Sequence, residues 1–291
     1  MDRALFMGID VGTYETKGVL SDVDGNIHSQ VSKKHSMNIP RPGWAEHDAE
    51  KVWWGDFVYI SNNLISQNNI NPEQIASVAV SAIGPCMLPI DHNVNPLFSG
   101  VLYGVDTRAG KEISKLNKIL GQENILKFGG NELTSQSIGP KILWLKDNHP
   151  EIFSKAFKIV SSTSYIVQKL TSECVIDHYT ASNFTPLYNI NTLSWDTSLA
   201  PNIVPIDKLP KIKWTTEIAG NTTKSASKET GLIQGTPVTT GTIDAAAEAV
   251  SVGLLDTGDL MIMYGSTMFF IALKANNYFD KRLWSSPWLY K

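Results

Sequence analysis

Apolar and polar positions alternate from the start of the chain. Ala4 to Ile9 reads as a strand, Asp10-Val11-Gly12-Thr13 as a turn, and Lys17-Gly18-Val19-Leu20 as the returning strand. Asp22-Val23-Asp24-Gly25-Asn26 is a second turn signal and leads to a third strand around Ile27 to Val31, so the chain opens as a β-meander. The period then changes. A Pro/Gly loop, Pro40 to Trp44, precedes Asp48, which reads as the N-cap of an amphipathic helix to about Gln67 with Trp53, Phe57 and Ile60 on its core stripe. Ile75 to Ser81 is a short strand that runs into the loop Ala82-Ile83-Gly84-Pro85-Cys86. Asp91-His92-Asn93 marks a hairpin return, and beyond Tyr103 to Arg108 a helix ends near Gly121.

In the second half helices dominate. Pro140 stands where a first helical turn tolerates proline, and Ser161-Ser162 can cap a helix to Leu170. Ile190 to Trp214, with Pro201, Pro205 and Pro210, reads as loop. Val238 to Ile243 is a strand tip, and Asp244 opens the alanine-rich helix Ala245 to Val250. Strands alternating with helices around an opening meander predict an α/β domain with a mixed sheet, ending near residue 253. Residues 254–291 are too few for a domain, yet Tyr278, Phe279, Trp284, Trp288 and Tyr290 crowd their end, which reads as the opening of a second, incomplete domain.

Composition narrows the class. The 291 residues carry a net charge of −3 and only 18% charged side chains, which excludes the broad basic footprint of a nucleic-acid binder. Cys86 and Cys174 are too few for a disulfide framework or a cysteine zinc site, and fit a reducing cytoplasm. The most apolar stretch, Leu260 to Leu273, is shorter than a bilayer span and is broken by Gly265-Ser266, so no membrane segment is expected.

That stretch also repeats the opening pattern: Leu260 to Tyr264, the turn Gly265-Ser266-Thr267, and Met268 to Leu273. Glycine at such a turn lets backbone amides and a neighbouring hydroxyl cradle phosphate oxygens. Only the first copy carries a carboxylate, Asp10, which faces phosphate usefully only across a hard cation such as Mg²⁺. The pair reads as a Mg-nucleotide clamp, with Asp10, Gly12, Thr13 and Lys17 on one side and Gly265, Ser266 and Thr267 on the other. No Gly-x-Gly-x-x-Gly follows a strand, and Gly110-Lys111 lacks the upstream glycine of a Walker loop.

Each candidate has a plainer reading. Asp244 is an N-cap, a base, or both; at a helix start the local field would hold it ionised and weakly basic. Asp106 and Arg108 form either an ion pair that pins a loop or a substrate contact. Cys86 reads first as a small buried residue, Trp44 as a core anchor, and Glu46 with Asp48 as a solvated capping pair. His35, His47, His92, His149 and His178 have no ligand spacing and receive no role.

The ordered set Gly8-Ile9-Asp10-Val11-Gly12-Thr13, Pro42 to Asp48, Asp106-Thr107-Arg108, Pro140 to Trp144, Thr240 to Ala246 and Tyr264 to Thr267 resembles the amino-terminal half of the FGGY carbohydrate kinases. The resemblance implies a ribonuclease H-like, actin-like ATPase domain with a mixed five-stranded sheet flanked by helices, followed by the start of a second such domain. It implies ATP and Mg²⁺ as cofactors, a small sugar, polyol or sugar acid as substrate, and a missing carboxy-terminal domain as partner; a homodimer is left open. By the same resemblance Asp244 is the catalytic base, Asp10 the metal-facing carboxylate, and Gly84, Pro85, Cys86, Tyr103, Asp106 and Gln136 lie where substrate contacts fall. The chain departs from the family at Gly84-Pro85-Cys86 and at Ala245, both of which remove polar contacts on the sugar side. The rival readings are an actin-like or chaperone-like ATPase module and a catalytically inactive sugar sensor.

Overall fold

The computed structural model describes residues 4–264 and 268–290. Its main sheet grows from the expected meander: β1 (Leu5–Val11), β2 (Glu15–Asp22) and β3 (Ile27–Lys34) pair antiparallel in sequence order. β1 and β2 alternate buried and accessible residues, so Leu5, Met7, Ile9 and Val11 share one face. After β4 (Glu46–His47), a π-helical turn Ala49–Trp54 capped by Asp48 leads into α1 (Gly55–Ser66). Trp53, Phe57 and Ile60 are fully buried, and the side chains of Ile60 and Leu64 press on the bare backbone of Gly18 in β2.

β5 (Ile75–Ala82) then runs parallel to β1. Short strands β6 (Leu88–Ile90) and β7 (Gly100–Val101) follow, then helices α2 (Gly110–Leu120), α3 (Gln122–Gly129), α4 (Ile138–Asn148) and α5 (Pro150–Lys155). β8 (Lys158–Val160) pairs with β6, and α6 (Ser162–Thr171) starts at Ser161, whose hydroxyl accepts the Ser164 amide as the cap reading requires. β9 (Val175–Asp177), α7 (His178–Ser182), β10 (Tyr188–Asn189), β11 (Ser194–Trp195) and β12 (Lys211–Lys213) belong to the second half. There β12 lies parallel to β9 within a stretch otherwise expected to be loop.

The sheet is completed by β13 (Ile218–Asn221), β14 (Pro237–Thr239) and β15 (Thr242–Ile243), with α8 (Lys224–Thr230) between the first two and α9 (Asp244–Ser251) after the third. The order is β13-β14-β5-β1-β2-β3 with β15 also on β5, seven strands in place of the expected five. Two causes account for the difference. The strand at 237–243 is broken into β14 and β15 at Gly241, whose φ of +72° turns the chain where a Cβ would lie 2.3 Å from the Val80 carbonyl. β13 carries no alternating apolar run and pairs only because β14 offers it an edge.

Two apolar clusters fill the interior. One joins the sheet to α1 and α6 around Trp53, Phe57, Tyr165 and Val78. The other gathers α2 to α4 with Phe184, Tyr188 and Ile203. The second hairpin forms as expected from β16 (Leu260–Tyr264) and β17 (Met268–Ala272), and its turn, Gly265-Ser266-Thr267, lies outside the described residues.

Candidate active site

Register alone brings the two key carboxylates to one edge. β1, β5 and β15 run parallel, with Asp10 beside Ser81, Ser81 beside Thr242, and Ala82 between Val11 and Ile243. Asp244 follows Ile243 directly, so it leaves the sheet at the same carboxyl ends of parallel strands as Asp10. Open α/β sheets bind ligands outside such ends.

Asp10 is raised above the usual carboxylate range by burial, against which Ser81 and Lys17 act. Its Oδ1 is buried and makes no hydrogen bond among the described residues. An orphaned carboxylate oxygen at a strand end suits a hard divalent cation, which takes one or two carboxylates and fills its remaining positions with water and phosphate. Lys17 is the register partner of Asp10 on β2, two-thirds exposed, with Glu15 at 3.6 Å. Between them the turn is tight: the Gly12 amide donates to the Glu15 carbonyl at 3.0 Å, and a Cβ on Gly12 would come within 2.9 Å of that oxygen.

Asp244 departs from expectation. Ile243 takes the cap position, and Asp244 is the first residue of α9, its Oδ1 accepting the Ala245 amide at 2.8 Å. The helix field does not hold it strongly acidic. Burial lifts its carboxyl to about 7, the Ala245 N–H offsets part of this, and the Asp10 and Glu248 carboxylates add to it. One amide of a two-turn helix is too little to repay desolvation, so Asp244 is a better base than its position in the sequence suggests.

The strand that leads into Asp244, β15, is tied down by a buried carboxylate that the sequence does not advertise. Asp177, at the end of β9, accepts the hydroxyls of Thr242 at 2.9 Å and Thr215 at 3.1 Å and the Thr180 amide at 3.3 Å. Burial raises it, and the three donors oppose that. The Thr163 hydroxyl grips the Thr242 carbonyl at 2.7 Å. Next to Asp177, Tyr179 is pushed up to about 12 by burial and by the charges of Asp177 and Asp244. The ring of Trp288 meets that of Tyr179 edge to face at 6.1 Å, and the Leu289 carbonyl accepts the Thr215 amide. Trp288 and Leu289 therefore pack against the segments around Tyr179 and Thr215, where no local pattern would have put them.

The sugar-side candidates divide. Tyr103, Gly84 and Gln136 are half-buried, and the Gln136 Oε1 accepts the Gly104 amide at 3.0 Å, so Gln136 and the Tyr103 loop come together. Gly84 lies against Ile243, which sets its loop beside Asp244. Pro85 is buried. Cys86 is fully buried, its thiol donates to the Ile83 carbonyl, and burial pushes it up to about 12, so it is a packing residue in place of a ligand contact. Asp106 is corrected likewise. It is fully buried and spends its oxygens on the Arg108 guanidinium at 2.7–2.9 Å and the Ala45 amide at 2.7 Å. Arg108 also bonds Glu46 at 2.8 Å and lies against the rings of both Trp44 and Trp144. Glu46 is thus buried, where a solvated cap was expected. The buried Lys141, given no role of its own in the sequence, donates to the carbonyls of Leu102 and Tyr103 and is lowered to about 8 by burial.

A mixed sheet in this order, with carboxylates at the ends of its parallel strands, is the architecture of the actin-like ATPases. The chain belongs to the FGGY family of carbohydrate kinases, whose N-terminal domain matches residues 5–251. Among curated relatives, the glycerol kinase of Carboxydothermus hydrogenoformans is 29% identical over 206 residues, 68% of this chain and 41% of the relative. The xylulose kinase of Lactococcus lactis is 28% identical over 193 residues, 66% of this chain and 38% of the relative. This chain therefore spans less than half the length of the relatives it matches. Among solved structures, xylulose kinase from Rhodospirillum rubrum superposes with a TM-score of 0.93 over 99% of this chain and 58% of that one; at 24% identity this is a likeness of fold. Gluconate kinase from Lactobacillus acidophilus, 25% identical, gives a TM-score of 0.80 over 89% of this chain and 52% of that one.

Proposed function

We propose that this chain is the substrate-binding part of an ATP-dependent kinase that phosphorylates a hydroxyl of a small sugar, polyol or sugar acid in the cytoplasm. Residues 254–291 would open the ATP-binding domain. The observation that carries the reading is the pairing, through strand register, of a buried, orphaned Asp10 oxygen with an Asp244 carboxyl lifted to about 7. Mg²⁺, held at Asp10, would neutralise charge on the ATP phosphates.

The chain's own residues would do the rest. The turn after Gly12, whose own amide is spent on the Glu15 carbonyl, offers the Thr13 amide and hydroxyl to phosphate oxygens. Asp244 accepts the hydrogen of the attacking hydroxyl and orients its oxygen, which a loose phosphoryl transition state needs more than full deprotonation. Once the phosphate has been transferred, a carboxylate raised by burial can keep that proton near neutral pH. Tyr103 and Gln136 line the sugar side. No helix among the described residues is long and apolar enough to cross a membrane.

Thermal unfolding of this chain and of Asp244→Ala with ketoses, polyols and aldonates, each with and without Mg-ATP, tests the reading. One sugar class should stabilise the wild type by about 2.7 kcal/mol at 100 times its Kd and leave the variant unmoved. Stabilisation by Mg-ATP with none by any sugar would favour an ATPase module and overturn the kinase. In the full-length enzyme, Asp244→Asn should slow phosphoryl transfer by about 10²–10⁴-fold.

A further inference from the structure

Two of the histidines without ligand spacing, His35 and His47, meet at the phosphate turn. The His35 Nε2 lies 3.1 Å from the Gly12 carbonyl, and the His47 Nε2 lies 3.1 Å from the Thr13 carbonyl. Their rings stand edge to face, with centroids 5.1 Å apart. Both side chains are shielded from solvent.

Their partners fix the protons. The Trp53 Nε1–H donates to the His47 Nδ1 at 3.1 Å, and an indole nitrogen can only donate. The His47 Nδ1 therefore accepts, and its Nε2 carries the hydrogen that reaches Thr13. The His35 Nδ1 faces the Asp56 carboxylate at 2.8 Å and its Nε2 faces the Gly12 carbonyl at 3.1 Å, so both ring nitrogens lie against acceptors. Asp56 in turn holds Lys33 at 2.7 Å and the Thr16 hydroxyl at 3.2 Å.

Two consecutive carbonyls of one turn are thus gripped from beneath. In a planar trans peptide, the N–H points away from the C=O. The Gly12 carbonyl shares its peptide with the Thr13 N–H, and the Thr13 carbonyl with the Tyr14 N–H. Neither the Thr13 nor the Tyr14 amide donates to a protein acceptor among the described residues, although the Gly12 amide before them does. A donor on the oxygen of a peptide polarises its N–H, so the grip both aims these two amides and strengthens them.

We propose that His35 and His47 are positioning residues for nucleotide phosphate, holding the Gly12 and Thr13 carbonyls so that the Thr13 and Tyr14 amides face an anion. The proposal rests on the kinase reading for the identity of that anion, and on hydrogen-bond geometry alone for the grip. Lys33 and His35 both bond the Asp56 carboxylate, which anchors the ring that holds the Gly12 carbonyl.

The test compares His35→Phe, His35→Gln, His47→Phe and His47→Gln with the wild-type chain, by calorimetric titration with Mg-ATP and by ¹⁵N–¹H spectra of the Thr13 and Tyr14 amides. Glutamine can place an amide N–H where the Nε2 stands; phenylalanine keeps the ring without the donor. The Phe variants should weaken Mg-ATP about tenfold and move the amide signal that follows the released carbonyl. The Gln variants should stay within about threefold of wild type. Glutamine disturbs ring packing, so damage of a general kind would not be rescued by it. Wild-type affinity in folded Phe variants, or Gln variants as weak as Phe, overturns the proposal. If a Phe variant fails to fold, its Gln counterpart decides: retained affinity upholds the grip, and lost affinity refutes it. A wild-type chain that ignores Mg-ATP refutes the phosphate role, while the amide signals still report separately on the grip.

Discussion

Asp244 shows how far a single side chain can be read from its neighbours. Its type and its place before an alanine-rich helix were legible, because a carboxylate next to a helix start is a local pattern. Its acidity was not, because burial against distant chain such as β5 and the Asp10 charge, far away in the sequence, raise it to about 7. The elevation has a sign that can be measured. Between its ordinary value of 3.8 and about 7, the folded form binds a proton that the unfolded form has lost, so stability falls as pH rises through that window. Asp244→Asn, which never ionises, should therefore raise Tm at pH 8, with the gain shrinking steadily to nothing near pH 4. A Tm difference that is constant across pH 4–8 would show that Asp244 is not raised. His35 and His47 mark the opposite case at this scale. They lie 23 and 34 positions from the carbonyls they hold, and no periodicity or spacing joins a side chain to a distant backbone oxygen.

The elements themselves were mostly legible. The meander, the Asp48 and Ser161 caps, the Trp53-Phe57-Ile60 stripe and the second hairpin each follow from short-range rules, and each forms. The misreadings are elements whose stability is borrowed. β13 and β12 are strands because β14 and β9 present edges to them, and the split of β14 from β15 follows from the approach of Val80. That split sets the height of Asp244 above the sheet. Gly241→Ala should consequently be costly on two counts, a left-handed φ and a Cβ at 2.3 Å from a backbone carbonyl, and should lower stability by about 1–3 kcal/mol. Denaturant titration would measure it. A loss below about 0.5 kcal/mol would mean that the kink is not needed to seat Asp244.

At the scale of the whole molecule, buried charge is what connects distant segments. Arg108 joins strand β4 at Glu46, the Asp106 loop and, through the Trp144 ring, helix α4. Removing the cation strands two buried carboxylates, so Arg108→Met should destabilise by about 3–5 kcal/mol, whereas the triple replacement of Glu46, Asp106 and Arg108 by apolar residues should recover much of the loss. Equal destabilisation by the single and triple variants, read from urea midpoints, would refute that account. Beneath this lies the division between chain and fold. The sequence by itself determined the α/β class, the glycine turn after Asp10, the capped helices and the carboxylate at the head of α9, since each rests on contacts within a few residues. Only the tertiary structure decided that Asp10 and Asp244 share one edge, that Asp106 is enclosed, that Asp177 holds Thr242, and that two histidines grip the turn. Those outcomes depend on strand register and burial, and the free energy of a charge or a hydrogen bond is set by what the rest of the chain packs around it.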